Sequence, residues 1–264
     1  MAITTIDGII AALEQTVIFN KTVSRASVAA IPFSVFDLAG MPGAGTLAVG
    51  NTANGIVPND AIAGVPVINA FASTNIGYLS RVDFNNTVAS RLMIYDRLFS
   101  SGAYAFNAAV TLATQPSYAS RLPNTDYKGL ELWIECVTAF TGLQSIAVTY
   151  TNQDGVAGRT TGVIATGVAP TLGRMLRLNL QAGDTGIQKI ESVTSTVATV
   201  GAFNVHVMRK LWGGRVKFAN DGDIHDFTKT GLVQVYADSS LFYIVQADAT
   251  ATGLPTIDID IING

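Results

Sequence analysis

Apolar and polar residues alternate through most of the stretch from Gly129 to Lys189. In the run LELWIEC one set of side chains is apolar, and the set between them is mostly polar. The first set is Leu130, Leu132, Ile134 and Cys136, and the second is Glu131, Trp133 and Glu135. A period of two is typical of a strand with one buried face, so the pattern predicts a half-buried β-strand here.

Further alternating runs follow at short intervals: SIAVTYT, GRTTGVIAT, RMLRLNL and IQKIESVTS. The segments Asn152–Gly155 and Gln181–Gly186, which lie between runs, contain residues that tolerate the positive φ angles of tight turns. Short strands joined in this way favour an all-β fold, an antiparallel β-sandwich or a barrel.

Two other patterns precede this block. Residues 4–19 predict one amphipathic helix with Thr4 or Thr5 as its cap. Its apolar face would consist of Ile6, Ile9, Ile10, Leu13 and Val17. Residues 38–72 are rich in Gly, Ala, Pro and Asn and nearly uncharged, too apolar for a solvated linker. We expect this stretch to be an extended arm that lies on its own sandwich or on an adjacent subunit.

These patterns divide the chain into three stretches. Residues 1–75 hold the helix and the arm, and residues 76–211 hold the predicted sandwich core. Residues 212–264 add a C-terminal β extension, which either completes the same sandwich or forms a separate lobe. In its last run, TIDIDII, isoleucines alternate with Asp258 and Asp260, as expected of a strand near a sheet edge.

Composition narrows the classes of function. Of 264 residues, 48% are hydrophobic and only 13% are charged, against about 25% charged in an ordinary globular protein. Much of the chain must therefore be covered, by its own fold or by a neighbour. A net charge of -3 provides no basic field, so we expect no nucleic-acid partner. The chain has no signal-like start and no apolar run of roughly 18 residues, so we also expect no membrane partner.

Few residues suggest catalysis or metal binding. The single cysteine, Cys136, lies on the apolar face of its strand and is predicted to be buried and unreactive. His206 and His225 accompany no GxSxG elbow and no metal-ligand cluster, so we expect no enzyme, no zinc site and no cofactor. The remaining metal candidates are weak calcium ligands in an acidic segment, which an acidic turn explains as well: Asp221, Asp223 and Asp226.

Two long segments, residues 151–165 and residues 172–211, resemble structural proteins of tailed bacteriophages and prophages. TNQDGVAGRTTGVIA is similar to that group's YTNQ strand pair, and LGRMLRLNLQAGDTGIQKIESVTSTVATVGAFNVHVMRKL is similar to its QAGDTG segment and the strand that follows. The earlier YLSRVDF and IYDRLF occur in the same order as in that group, so the resemblance covers about residues 78–211. Where that group reads RPL, this chain has Arg209-Lys210-Leu211.

The resemblance implies a virion protein, made in the host bacterial cytoplasm and located on the capsid surface. Our preferred interpretation is a capsid cement or decoration protein with a jelly-roll-like sandwich, which binds the assembled shell of the major capsid protein and stabilises it by mass action. It would also form a homo-oligomer, a trimer or a dimer. The expected contact residues are Ile6, Ile9, Ile10, Leu13, Val17 and Trp133. Deletion of residues 1–72 should then abolish attachment while the sandwich still folds.

Two alternatives remain open at this point. The chain could be a phage tail component, such as a tube, knob or fibre protein. It could instead be an adhesin that binds host glycan through Trp133, Tyr236 and Tyr243.

Overall fold

Antiparallel strands dominate the computed structural model, which describes residues 5–71, 76–105, 109–166, 170–196 and 200–263. The predicted all-β sandwich is confirmed. None of the helices in these ranges is long and apolar enough to cross a membrane.

The described residues form two kinds of helical element. These are the helices α1 (Ile6–Ala11) and α2 (Phe227–Thr230), and 3-10 turns at Ala119–Arg121 and Pro123–Thr125. The strands are, in chain order, β1 (Leu13–Lys21), β2 (Pro32–Ser34), β3 (Gly40–Met41), β4 (Asn51–Ile56), β5 (Ile76–Asn86), β6 (Ser90–Ala105), β7 (Ala109–Thr111), β8 (Leu130–Thr138), β9 (Ser145–Asn152), β10 (Arg159–Thr160), β11 (Ile164–Ala165), β12 (Met175–Leu178), β13 (Ile187–Thr196), β14 (Ala202–Val216), β15 (Asp221–His225), β16 (Gln234–Tyr236), β17 (Leu241–Ala247) and β18 (Thr256–Asn263).

The chain divides into two units. Unit 1 consists of residues 1–45, 59–96 and 211–264, and unit 2 consists of residues 46–58 and 97–210. The long strands β6 and β14 contribute residues to both units. This division differs from the three stretches of the sequence analysis, because N-terminal and C-terminal residues belong to the same unit. The reason is strand pairing: β1 pairs with β18 along nearly its whole length.

Unit 1 is a two-layer sandwich. Its first layer has the strand order β15-β5-β18-β1-β3, with β16 also paired to β5. Its second layer contains β17 and β2, together with the unit 1 residues of β6 and β14. The alternation seen in TIDIDII places Ile257, Ile259 and Ile261 in the core and the aspartates on the outer face. Both layers contribute to one apolar core, in which the ring of Phe19 stacks on Tyr243 with centroids 3.7 Å apart.

The predicted N-terminal helix is present, but its predicted bounds, residues 4–19, are wrong. Helix α1 ends at Ala11, and β1 begins at Leu13. The hydroxyl of Thr5 caps the helix by accepting from the backbone N–H of Gly8 at 3.0 Å. From Thr16 onward the chain contains consecutive β-branched residues, which favour a strand, and pairing with β18 then places Val17 and Phe19 in the core.

The stretch 38–72 lies on its own chain in the described part, up to Phe71. Val65, Ile68 and Phe71 are buried in unit 1, and Leu47 is buried in unit 2. The expectation that the sandwich folds without residues 1–72 is therefore wrong. Such a deletion would remove β1 and β2, and with them several core side chains.

Unit 2 is a second two-layer sandwich. One layer has the order β10-β9-β13-β7, with β11 also paired to β9. The other contains β12, β8 and β4 with the unit 2 residues of β14 and β6. The apolar face of β8 lies in the core as predicted, and Cys136 is buried and free of disulfide. The opposite face of β8 is not solvated, because Trp133 and Glu135 are buried too, so the half-buried prediction is wrong.

Candidate functional site

The segments that carry the phage resemblance meet in unit 2 around the carboxylate of Asp184. Its two oxygens accept hydrogen bonds from the hydroxyl of Tyr150 at 2.7 Å and from the amide of Asn152 at 2.8 Å. The guanidinium of Arg159 donates to both oxygens, from Nε at 2.9 Å and from Nη2 at 3.1 Å. Asp184 thus ties the turn after β12 to the hairpin formed by β9 and β10. We call these four residues the Asp184 clamp.

Charge and burial shift the pKa values of this clamp. The hydrogen bonds from Arg159, with those from Asn152 and Tyr150, lower the pKa of Asp184 from 3.8 to about 2. Burial, together with the hydrogen bond to Asp184, raises the pKa of Tyr150 to about 12. At neutral pH the clamp is therefore a charged pair, with a tyrosine that keeps its proton.

The neighbouring polar residues of these segments are also used internally. The side-chain oxygen of Gln153 accepts from the backbone N–H groups of Thr185 and Gly186, at 2.9 and 3.1 Å. Glu191 accepts from the hydroxyl of Thr151 at 2.8 Å and from the backbone N–H of Gly158. The polar residues of the segments that resemble phage proteins therefore attach turns to strands, and their role is structural.

A hollow of about 370 Å³ lies beside the clamp. Its charged lining groups are Glu131, Arg177 and Asp184. Glu131 accepts from the indole N–H of Trp133 at 2.9 Å and pairs with Arg177 at 3.4 Å. The residues that line it include one hydroxyl group, that of Thr185, and carboxylates that already have partners, and they include no histidine, cysteine, serine or lysine.

A second polar cluster is buried between β6, β8 and β14 in unit 2. The hydroxyl of Ser100 lies 2.8 Å from Nδ1 of His206, and Nε2 of His206 lies 3.1 Å from the carboxylate of Glu135. When Glu135 is ionised it can only accept, and a neutral His206 then donates from Nε2–H and accepts from the Ser100 hydroxyl at Nδ1. Asn204 donates to Glu135 at 3.2 Å and to the carbonyl of Leu47. Burial lowers the pKa of His206 against the opposing effect of Glu135.

Sequence reasoning missed this hydroxyl–imidazole–carboxylate order, which nucleophilic catalysis uses. All three side chains are fully buried, so no substrate can contact Ser100 in this structure. The cluster acts as a polar core that fixes three strands side by side.

The weak calcium candidates do not form a turn. Asp221 and Asp223 lie on β15, and Asp226 caps α2 by accepting from the backbone N–H groups of Thr228 and Lys229. The hydrogen bond from the Thr228 hydroxyl is the largest cause that lowers the pKa of Asp226. His225 accepts from the indole N–H of Trp212 at 3.1 Å. The described residues contain no group of three His, Cys, Asp or Glu side chains placed to hold a metal ion.

The expected contact residues fall into two classes. Ile6, Ile10 and Leu13 are 63%, 70% and 51% exposed, and Ile9 is half-buried. Val17 and Trp133 are buried, so neither can contact a partner surface. The aromatic residues of the adhesin alternative, Trp133, Tyr236 and Tyr243, are all buried. That alternative therefore loses the residues on which it rested.

Comparisons with known proteins give no family. No protein-family model matches the chain, and no curated protein matches it. A structure of infectious bursal disease virus, Gx strain, is 15% identical with a TM-score of 0.22, over 96% of this chain and 62% of that one. A mutant VP2 protein of the same virus, in derived T=1 particles, is 13% identical with a TM-score of 0.19, over 93% of this chain and 75% of that one. The chain thus spans less than two thirds of the first structure, and scores this low establish neither a shared fold nor a shared function.

Proposed function

We propose that this chain is a capsid cement or decoration protein, which binds the assembled shell of a bacteriophage major capsid protein and stabilises it. Two features support this proposal: the phage resemblance of residues 78–211, and the structural task of the polar residues in that segment. A protein of this kind acts by binding only the assembled shell, so that its binding free energy favours the shell over its subunits.

The observation that carries the proposal is the exposed apolar surface of α1. This helix has six residues, none of which is buried. Ile6 and Ile10 are one helical turn apart and lie on the same side, and Leu13 follows at the start of β1. A helix this short is marginal in water by itself, and large exposed aliphatic groups favour contact with a partner. We define the α1 surface as Ile6, Ile10 and Leu13 and propose that it contacts the shell.

The test compares binding of purified protein to shells of the phage or prophage that carries this gene. We expect the triple variant Ile6→Ser, Ile10→Ser, Leu13→Ser to lose co-sedimentation with the shells while its melting temperature stays near that of the wild type. The matched control is Val163→Ser, Val200→Ser, which alters similarly exposed aliphatic groups in unit 2. Undiminished binding by the triple variant would exclude the α1 surface.

Copy number in purified virions tests the role itself. A ratio to the major capsid protein near one supports a cement protein. A few tens of copies per particle would indicate a tail component instead, and complete absence from the particle would overturn the virion proposal.

A further inference from the structure

Two arginines share a hollow on the outer face of the second layer of unit 1. Arg91 lies near the start of β6 and Arg215 near the end of β14, and these strands are neighbours in the sheet. With Gln246 and Asp248 they line a hollow of about 170 Å³. Gln246 stands directly opposite Arg91 in the strand pair β17–β6. We call this the Arg91–Arg215 hollow.

The hollow has an excess of positive charge. The side chain of Arg91 makes no ion pair or hydrogen bond with any other described residue. Arg215 reaches Asp248 only at 3.5 Å, with both side chains exposed. The amide of Gln246 is already engaged, since it donates to the carbonyl of Ala30 at 2.8 Å. Two guanidinium groups with one loosely held carboxylate suit a further carboxylate, which a guanidinium can bind through two parallel hydrogen bonds.

The outer face of the first layer of unit 1 has an excess of negative charge. Asp258 on β18 stands directly opposite Asp83 on β5, and Asp260 follows two residues along β18. Arg81 binds Asp83 at 2.9 Å and Asp260 at 3.2 Å. The carboxylate of Asp258 makes no hydrogen bond or ion pair within the described ranges. Burial raises the pKa of Asp258, and the charge of Asp83 raises it further. Like charges directly opposite each other destabilise a sheet. A cationic group bound at this face would reduce that repulsion.

Apolar side chains flank the acidic pair on both sides. Ile18 stands opposite Asp258 on β1, and Ile224 stands opposite Asp83 on β15. They are 45% and 49% exposed. A charged centre with aliphatic neighbours suits a protein surface, where apolar area is buried together with specific polar contacts.

We propose that the Arg91–Arg215 hollow of one copy of this chain binds the Asp258 carboxylate of a second copy, with Asp83 beside it. The charges of the two surfaces are complementary: the hollow has one positive charge in excess, and Asp83, Asp258 and Asp260 outnumber Arg81 by two charges on the acidic face. Because the two surfaces differ, the contact is head-to-tail, and repetition closes a ring or extends a filament. The contact uses none of the α1 surface, so it goes beyond the proposed capsid binding and can fail independently of it.

The test uses sedimentation velocity of the full chain over a concentration series at low and high salt. We expect the wild type to self-associate, and less so at high salt, because salt screens exposed charges. A hollow variant, Arg91→Gln with Arg215→Gln, and a face variant, Asp258→Lys, should each raise the dissociation constant about 30-fold or more. An equimolar mixture of the two should form a 1:1 complex and nothing larger, since each variant retains one of the two compatible surfaces.

The matched control is Lys189→Gln with Lys210→Gln, two exposed cations of unit 2, and it should associate as the wild type does. Melting temperatures show that each variant is folded. The proposal is overturned by a wild type that stays monomeric at every concentration, by variants that associate normally, or by a mixture that forms no complex. The same variants keep the α1 surface, so they should co-sediment with capsid shells as the wild type does. This result separates failure of the contact between copies from failure of capsid binding.

Discussion

Units 1 and 2 are built alike, as two antiparallel layers over one apolar core, but they place their charges differently. Unit 1 contains thirteen Asp and Glu against seven Lys and Arg, a net charge of −6, while unit 2 contains six against nine, a net charge of +3. In unit 2 the key carboxylates, Asp184 and Glu135, are engaged inside the fold. In unit 1 a group of aspartates lies on an outer sheet face. The carboxylates of Asp184 and Glu135 therefore connect strands and turns inside unit 2, whereas Asp83, Asp258 and Asp260 of unit 1 lie partly exposed on one sheet face.

Truncating a core aromatic residue in unit 1 should have the largest effect. We expect Phe19→Ala to lower the free energy of unfolding by about 3–5 kcal/mol, because the buried ring leaves a cavity and a stacked partner behind. Urea unfolding measures the loss, and hydrogen exchange should locate it in β1, β18 and β5. Phe19→Leu is the control, with a much smaller loss. Equal loss of protection in unit 2 would contradict the division into two units.

Removing the carboxylate of Glu135 in unit 2 should have the second largest effect on stability. We expect Glu135→Ala to lower the free energy of unfolding by about 3 kcal/mol, since the buried groups of His206 and Asn204 lose an acceptor. Exchange protection should fall in β8 and β14. Glu135→Gln keeps one acceptor oxygen, so its free energy of unfolding should fall by less. A near-neutral Glu135→Ala would show that the polar cluster contributes little and would remove this part of the comparison.

Opening the Asp184 clamp should have an intermediate effect. We expect Asp184→Ala to lower the free energy of unfolding by about 2 kcal/mol, because charge-assisted hydrogen bonds are the stronger ones. The folded pKa, about 2, lies below the ordinary 3.8, so the stabilisation is complete above pH 3.8 and is lost as pH falls toward 2. Urea unfolding between pH 2 and pH 5 measures this effect. The free energy of unfolding should change more with pH for the wild type than for Asp184→Asn. Parallel pH profiles would contradict the charged clamp.

The strands were predictable wherever apolar residues alternate with polar ones. TIDIDII and LELWIEC both contribute core side chains at the expected positions. The alternation cannot show what covers the other face of a strand, and for this reason Glu135 and Trp133 were expected at a surface. It also cannot show which distant strands become neighbours. Ser100, Glu135 and His206 meet only through the pairing of three strands, so no local spacing in the sequence signals their cluster.

The N-terminus shows a different limit. Ile6, Ile9, Ile10 and Leu13 fit a helical spacing, and Val17 fits both that spacing and the alternation of β1. The run Thr16-Val17-Ile18 was the available signal for a strand, since β-branched residues favour extended structure. The Asp184 clamp had a signal as well, because the segment QAGDTG contains turn residues with one carboxylate. Its partners on β9 and β10 required the structure.

The smallest predicted effect has the opposite sign. We expect Asp258→Asn to raise the free energy of unfolding by about 0.5 kcal/mol at neutral pH, because it removes one of two like charges that stand opposite each other. The pKa of Asp258 is raised in the folded state, so the folded carboxyl holds its proton more tightly than the unfolded one. The penalty therefore disappears below pH 3.8 and grows as pH rises through the folded pKa. Urea unfolding of both proteins across this range measures the difference, with Asp238→Asn as the control. If Asp258→Asn is more stable and also loses self-association, the charge of Asp258 destabilises unit 1 but is needed for the contact with a second copy. If Asp258→Asn associates normally, the acidic face is not part of that contact.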